Sequence, residues 1–216
     1  MNFSNIERSQ VPYYFAVAKD IFSPELYAAL VRYWPDESTF VEMGEGYRKL
    51  SLSERNNRGL YHTFIAASPE WTELYSYLKS QQFRGEVFKA LNMAPVGIFT
   101  SRFEFSSMPA DGGFIAPHTD IPSKVVTLVV PIVEPGTWSP EWGGGTDLLK
   151  PKDTSVNHID YKAPLSEFEK VWTVPYEPNQ ALLFVKSASS WHSAGPFQGP
   201  EGVWRRTLTI NIERAS

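Results

Sequence analysis

No cysteine occurs in the 216 residues. That absence excludes a disulfide scaffold, thiol catalysis, cysteine-ligated zinc and iron–sulfur clusters. It does not choose a compartment, because a cysteine-free chain suits either side of a membrane. Apolar runs are short and none approaches the roughly 18 residues of a membrane-crossing helix. The opening MNFSNIERSQ has no basic-then-apolar organisation, so neither a signal peptide nor a membrane span is expected, and the cytoplasm is the default. Charge of one sign is also scarce. The formal net charge is −4, with no run of five like charges. Non-specific nucleic-acid binding therefore has no electrostatic footprint, and no nucleic-acid partner is expected. No glycine-rich phosphate loop stands in a strand–helix context. Gly143-Gly144-Gly145 is followed neither by a Lys-Ser/Thr pair nor by a helical pattern. A Ser-His-Asp order and internal repeats are missing as well.

Aromatic residues are abundant, at 14%, and proline (17) and glycine (14) are spread along the chain. With 42% apolar residues, this length buries one sizeable core. The expectation is a single domain over 1–216, with an N-terminal strand and helix elaboration (1–96) on a core at 97–212. Val11 to Val17 is aromatic and β-rich, a plausible first strand. Ser23-Pro24-Glu25 supplies an N-cap, a proline at the first helical position and an acid in the first turn. Leu26, Leu30, Val31 and Trp34 follow at helical spacing, and Pro35 predicts the end of that helix. The same opening recurs at Ser68-Pro69-Glu70, with Trp71, Leu74, Tyr75 and Leu78 on one stripe and a further turn or two carrying Phe83, Val87, Phe88 and Leu91. Both stripes read as covers for one face of a sheet. Gly44 to Gly59 reads as a long polar excursion.

From about residue 97 the texture turns to short β-like segments: 98–105, 113–118, 125–133, 146–149, 171–174, 181–185, 191–194 and 206–212. Eight such segments between Gly, Pro and Asp turns predict a mainly β fold with α (α+β): a double-stranded β-helix, or jelly roll, with N-terminal helices packed on one sheet.

Within this core stands His118-Thr119-Asp120, with Trp191-His192 far downstream and Arg205-Arg206-Thr207 beyond it. Residues i and i+2 of a strand share a face, roughly 6.5–7 Å apart at Cα. His118 and Asp120 converge on one ion if the chain curls after the first, and Pro122 enforces such a stop. Two imidazoles and one carboxylate on one face of octahedral Fe(II) leave three positions open. His-x-Asp alone is a weak signal, and His192 beside Trp191 also suits a buried structural histidine. Gly143-Gly144-Gly145-Thr146, placed where a narrow barrel needs close backbone approach, strengthens the metal reading, as do the NQALLF run before His192 and the basic pair after it.

On these residues the chain resembles the 2-oxoglutarate- and Fe(II)-dependent dioxygenases, in particular their small prolyl-hydroxylase-like members. The resemblance runs over about 97–212 and more loosely into the N-terminal strand and helices. It implies His118, Asp120 and His192 as metal ligands and Fe(II), 2-oxoglutarate and O2 as cofactor and co-substrates. It also implies an Arg on the last core strand, helped by a hydroxyl residue two positions on, for the far carboxylate of 2-oxoglutarate. Arg205-x-Thr207 fits that form, with Arg205, Thr207, Thr209 and Asn211 on one face. The opposite phase puts Arg206 with Leu208, Ile210 and Ile212, an apolar face equally suited to a barrel interior. Only one of Arg205 and Arg206 points inward, and Arg205 is preferred. The implied reaction is hydroxylation of an unactivated C–H bond in an unknown small-molecule, sugar-containing or peptidyl substrate, with release of succinate and CO2. Related halogenases replace the carboxylate ligand, so retention of Asp120 favours hydroxylation; desaturation and ring formation use the same triad.

Two other readings stay open. One is a cupin-type metalloenzyme without 2-oxoglutarate, although no further His or Glu follows directly after Asp120. The other is a jelly-roll carbohydrate-binding module using a Trp-rich surface. Arg102 and Glu104 alternate with Phe103 and Phe105, either lining a substrate mouth or pairing across strands. His62 reads as structural and His158 as a surface residue. Specificity is expected from Gly44–Gly59 and Trp138–Lys170, and neither the substrate nor the oligomeric state is legible.

Overall fold

A computed structural model describes residues 1–153 and 164–215. The chain begins with two strands, β1 (Ile6–Ser9) and β2 (Phe15–Lys19), and then helix α1 (Pro24–Arg32). Short strands β3 (Val41–Glu42), β4 (Tyr47–Arg48) and β5 (Leu50–Ser53) lead into three helices: α2 (Arg58–Ala67), α3 (Pro69–Lys79) and α4 (Gln81–Ala90). Eight further strands follow, with two short 3-10 turns (Pro140–Trp142 and Leu165–Glu167) between them: β6 (Phe99–Pro109), β7 (Phe114–His118), β8 (Lys124–Pro131), β9 (Thr146–Pro151), β10 (Phe168–Val174), β11 (Gln180–Val185), β12 (Trp191–Ala194) and β13 (Trp204–Arg214).

All pairings are antiparallel and form two sheets. The larger has the order β1-β2-β11-β8-β13-β6-β5-β3 and the smaller β10-β9-β12-β7-β4. The eight segments expected after residue 97 are all present as strands. They divide evenly, with β11-β8-β13-β6 in one sheet and β10-β9-β12-β7 in the other.

Both faces of the large sheet are covered, and alternation decides what each face carries. Phe103 and Phe105 of β6, Val126, Leu128 and Val130 of β8, Ala181 and Leu183 of β11, and Leu208, Ile210 and Ile212 of β13 join one buried cluster with the helices. Leu30 of α1, Tyr61 and Ile65 of α2, Trp71, Leu74 and Leu78 of α3 and Phe83 and Val87 of α4 belong to it. Phe105 is its hub, with ring centroids 4.8 Å from Trp71, 5.2 Å from Trp34 and 5.4 Å from Phe64. Such edge-to-face pairs add about 0.5–1.5 kcal/mol each beyond area burial. The opposite face, with Leu182 and Phe184, packs toward Leu148 and Val174 of the small sheet. The expectation that helices cover one sheet face is met.

Local departures from the sequence reading have local causes. Ser23 caps α1 as expected, accepting from the Leu26 N–H at 3.3 Å, but the helix ends at Arg32, before Trp34. Tyr33 caps its C-terminus, and Trp34 turns to meet Trp71 and Phe105. The second stripe is two helices, because the Ser80 hydroxyl accepts from Phe83 N–H and starts α4 afresh. The first aromatic strand begins at Phe15 rather than Val11. Gly44–Gly59, expected as an excursion, carries β4, β5 and the start of α2. There β5 extends the large sheet beside β6, and β4 extends the small sheet beside β7. The segment LYHTFIA lies in α2, where Tyr61, His62 and Tyr75 form a ring cluster far in the chain from the triad. No helix among the described residues is long and apolar enough to cross a membrane.

Candidate metal centre and its cavity

His118 is the last residue of β7, and His192 faces it across the β7–β12 pair. Their ring centroids are 4.2 Å apart. Asp120 stands two residues past the strand end, just before Pro122, so the chain has left the sheet where its carboxylate turns toward the two rings. One ligand atom from each of His118, Asp120 and His192 lies within 4.8 Å of the others, close enough for one ion to reach all three after small side-chain adjustments.

The surroundings orient each of the three. Nδ1 of His118 lies 2.9 Å from the Ala116 carbonyl, and Nδ1 of His192 lies 3.1 Å from the Ser190 carbonyl. A carbonyl only accepts, so each ring carries its proton on Nδ1 and keeps the Nε2 lone pair available, as metal-binding imidazoles require. Burial pushes both imidazoles below their ordinary value, His192 adding to the effect on His118, so both stay neutral. Burial alone would raise the Asp120 carboxyl, but the Lys124 ammonium and the hydrogen bonds from Lys124 and Thr127 hold it well below the usual carboxylate range. Lys124 Nζ is 2.5 Å from Asp120 Oδ1, and the Thr127 hydroxyl donates to Oδ2 at 2.6 Å. The Asn211 side-chain amide lies 3.0 Å behind Thr127. A buried anion between two neutral imidazoles, each already oriented, is a donor set suited to Fe(II).

The triad opens into a cavity of about 310 Å³ between the sheets. Its floor is the inward phase of β13: Arg205, Thr207, Thr209 and Asn211. Arg205 is 2% exposed. Its Nε–H donates to the Gly144 carbonyl, Nη2 lies 3.3 Å from Thr146 Oγ1, and the guanidinium sits 5.2 Å from the Tyr176 ring centroid. Among the described residues no carboxylate lies within 4.0 Å of it. Burial pushes this guanidinium down to about 10, against the pull of Tyr176 and Asp147. Arg206, the alternative left open by the sequence, points the other way and does not line the cavity. Its side chain forms a bidentate pair with Glu37 at 2.6 and 3.0 Å. The apolar phase of β13 that accompanies Arg206 packs under the helices rather than toward the cavity between the sheets.

The glycine run explains how Arg205 is seated. Gly144 has φ +80°, and a Cβ there would lie 2.7 Å from the Trp138 ring; one on Gly145 would lie 2.6 Å from Thr173 Cγ2 and 2.7 Å from the Val174 carbonyl. Only bare backbone brings the Gly144 carbonyl onto Arg205.

The mouth is built largely by the segment around β4 and β5. Met43, Tyr47, Lys49 and Arg55 line the cavity, as does Glu104 of β6, which pairs with Lys49 at 2.6 Å. Arg102 does not line it and pairs with Glu213. Lys49, Arg55, Lys124 and Thr127 were missed in the sequence, because their roles depend on cross-strand neighbours. The one local signal was Lys124, four residues after Asp120. Trp138 lies against Tyr176 and Phe197 instead of the cavity. His158 lies outside the described residues.

With this geometry in hand, the class of fold is identified by solved structures. The chain has the fold of the prolyl hydroxylases. A Pseudomonas putida prolyl-4-hydroxylase superposes with a TM-score of 0.61 over 94% of this chain and 93% of its own, at 16% identity. The viral collagen prolyl hydroxylase of Paramecium Bursaria Chlorella virus-1, in its 2-oxoglutarate complex, gives 0.54 over 94% and 96% at 10% identity. HygX from Streptomyces hygroscopicus, with nickel, 2-oxoglutarate and hygromycin B bound, gives 0.58 over 93% and 83% at 13% identity. No family model and no curated protein matches the sequence. The likeness is thus one of fold.

Proposed function

We propose that this chain is a single-domain Fe(II)- and 2-oxoglutarate-dependent oxygenase with a jelly-roll core, hydroxylating a C–H bond of an organic substrate. The observation that carries the reading is Arg205, a buried cation in the same cavity as the triad with no carboxylate of the described residues against it. Buried charges are paired, and one left unpaired in the protein marks the place of a ligand's opposite charge. A dicarboxylic acid that chelates the metal at one end and meets Arg205 at the other satisfies both features. Bound there, iron and 2-oxoglutarate would supply the oxidising equivalent, with release of succinate and CO2.

The protein's residues divide the remaining work. His118, Asp120 and His192 hold the metal through two Nε2 atoms and one carboxylate. Arg205 takes the far carboxylate of the co-substrate, and the Thr207 hydroxyl two residues on shares that face. Arg206 anchors the strand through Glu37 and takes no part. The sheets exclude water from the reacting centre. Asp120 leaves no vacancy for halide, which favours hydroxylation. The solved relatives carry the co-substrate assignment by analogy: HygX with nickel and 2-oxoglutarate, and the viral hydroxylase with 2-oxoglutarate.

The two other readings have less support. Among the described residues the metal-binding cluster is three residues, without the fourth ligand usual in cupins. A carbohydrate module would need surface tryptophans, but Trp34, Trp71 and Trp191 are buried and Trp172 alone among the seven is markedly exposed. Location in the cytoplasm stays an expectation of the sequence.

Calorimetry on the metal-free protein tests the proposal. It should bind Ni(II), then 2-oxoglutarate only once the metal is in place. With Fe(II), ascorbate and O2 it should release succinate slowly without substrate. Folded protein that binds neither would refute the assignment.

A further inference from the structure

Resting on that functional reading, we infer that the substrate is an anion, whose carboxylate or phosphate group is held beside the metal by Arg55 and Lys124. A recess of about 90 Å³ adjoins the main cavity and shares Arg55, Glu104, Lys124 and Asn211 with it. Its charged lining consists of three cations, Arg55, Arg102 and Lys124, and three carboxylates, Glu54, Glu104 and Glu213.

The carboxylates are all taken. Glu54 pairs with Lys79 at 2.8 Å and accepts from the Tyr75 hydroxyl at 3.0 Å. Glu104 pairs with Lys49 at 2.6 Å, and Glu213 with Arg102. Two of the partners, Lys79 and Lys49, reach in from outside the recess, so its cations are left in excess. Arg55 has only a 4.0 Å contact with a carboxylate already engaged, and its side chain is 60% exposed. Lys124 has Asp120 as its partner, at 2.5 Å. A divalent ion in the triad draws on that same carboxylate, which weakens its hold on the ammonium. Metal loading therefore leaves Arg55 without a close carboxylate and Lys124 with a weakened one, both facing one recess next to the reacting centre, and the ligand chemistry that satisfies both is anionic. A cationic substrate would meet repulsion there, and a neutral one would offer neither cation an opposite charge.

Relaxation NMR tests this on protein loaded with Mn(II) and saturated with 2-oxoglutarate, so that Arg205 is already occupied. The probes are methyl phosphate (31P) and propanoate (1H), with propanamide as the neutral control. Signals are normalised to the sites that hold Mn(II), counted by EPR, and 2-oxoglutarate, counted by calorimetry. Saturable Mn(II)-induced relaxation of at least one anion, and none of propanamide, is expected. Methyl phosphate alone would indicate a phosphorylated substrate and propanoate alone a carboxylic acid. Arg55→Glu and Lys124→Met should each weaken that binding at least ten-fold, and Arg55→Lys should restore most of it. The inference is overturned if neither anion binds to protein shown to hold Mn(II) and 2-oxoglutarate, or if both variants bind as tightly as the parent. Loss of Mn(II) or 2-oxoglutarate binding in the parent protein would instead bring down the functional reading, and this inference with it.

Discussion

Replacing Arg205 by methionine separates the roles of a buried cation as structural element and as ligand anchor. In the protein alone the guanidinium is poorly compensated. Its fall from the ordinary guanidinium value to about 10 on burial corresponds to a cost of roughly 3 kcal/mol for keeping the charge inside the fold. The sign follows: a base whose folded value is depressed is destabilising at every pH below about 10, and that cost disappears only as pH rises to the ordinary guanidinium value. Against this, Arg205→Met forfeits the donor to the Gly144 carbonyl and the weaker one to Thr146, together about 1–3 kcal/mol. The two contributions nearly cancel, and the methionine stem retains most of the packing on Tyr176. The ligand-free variant should melt within a few degrees of the parent.

Co-substrate binding should respond very differently. Removing one member of a buried charge pair costs about 3–5 kcal/mol, or roughly 150- to 5,000-fold in Kd. Calorimetric titration of Ni(II)-loaded protein with 2-oxoglutarate measures that loss, and thermal denaturation with and without 2-oxoglutarate gives an independent reading. Arg206→Met supplies the comparison. Its ion pair with Glu37 is one-third exposed on the Arg side, so about 0–1 kcal/mol of stability and no change in 2-oxoglutarate affinity are expected. If Arg205→Met binds 2-oxoglutarate within three-fold of the parent, or if Arg206→Met is the variant that fails, the assignment of the anchor is wrong.

Gly145→Ala places a methyl 2.7 Å from the Val174 carbonyl, so backbone must shift; a loss of about 1–3 kcal/mol in denaturant melts and weaker 2-oxoglutarate binding should appear together. Phe105→Ala should cost about 3–5 kcal/mol by chemical denaturation, because the aromatic cluster of the helices and β6 centres on this ring. Both imidazoles of the triad are held below their ordinary value, so below about pH 6.5 the unfolded chain takes up protons that the folded one does not, and stability falls as pH drops from there. The metal-free melting temperature should therefore decline with acid through that range, and His118→Gln should make the decline shallower.

The fold after residue 97 was legible because its strands are short, alternating and separated by turn residues. The N-terminal third was harder. Gly44–Gly59 has the composition of a loop, and its β4 and β5 exist only because the edges β7 and β6 offer them backbone partners. Two- and four-residue strands carry too little periodicity to be seen alone. Likewise Ser80 splits what reads as one helix, an event of capping that a continuous apolar stripe conceals.

The arginine pair shows where sequence reasoning stops in the site itself. Alternation established that Arg205 and Arg206 face opposite sides of β13, but both faces had interior character, one polar and one apolar. What decides between them is the second layer: the apolar face of this sheet belongs to the helices, so the polar face must line the cavity. A sheet covered on both sides inverts the usual inference that the greasier phase points inward. The same layer accounts for the hidden cations. Lys124 and Arg55 come from different strands' surroundings and meet only because β8 and β6 both flank β13 while β5 lies beside β6. Metal ligands can be named from a motif, because three donors suffice to define the chemistry. Groups that select a substrate are defined by which charges remain after every neighbour has paired, and that remainder exists only in three dimensions.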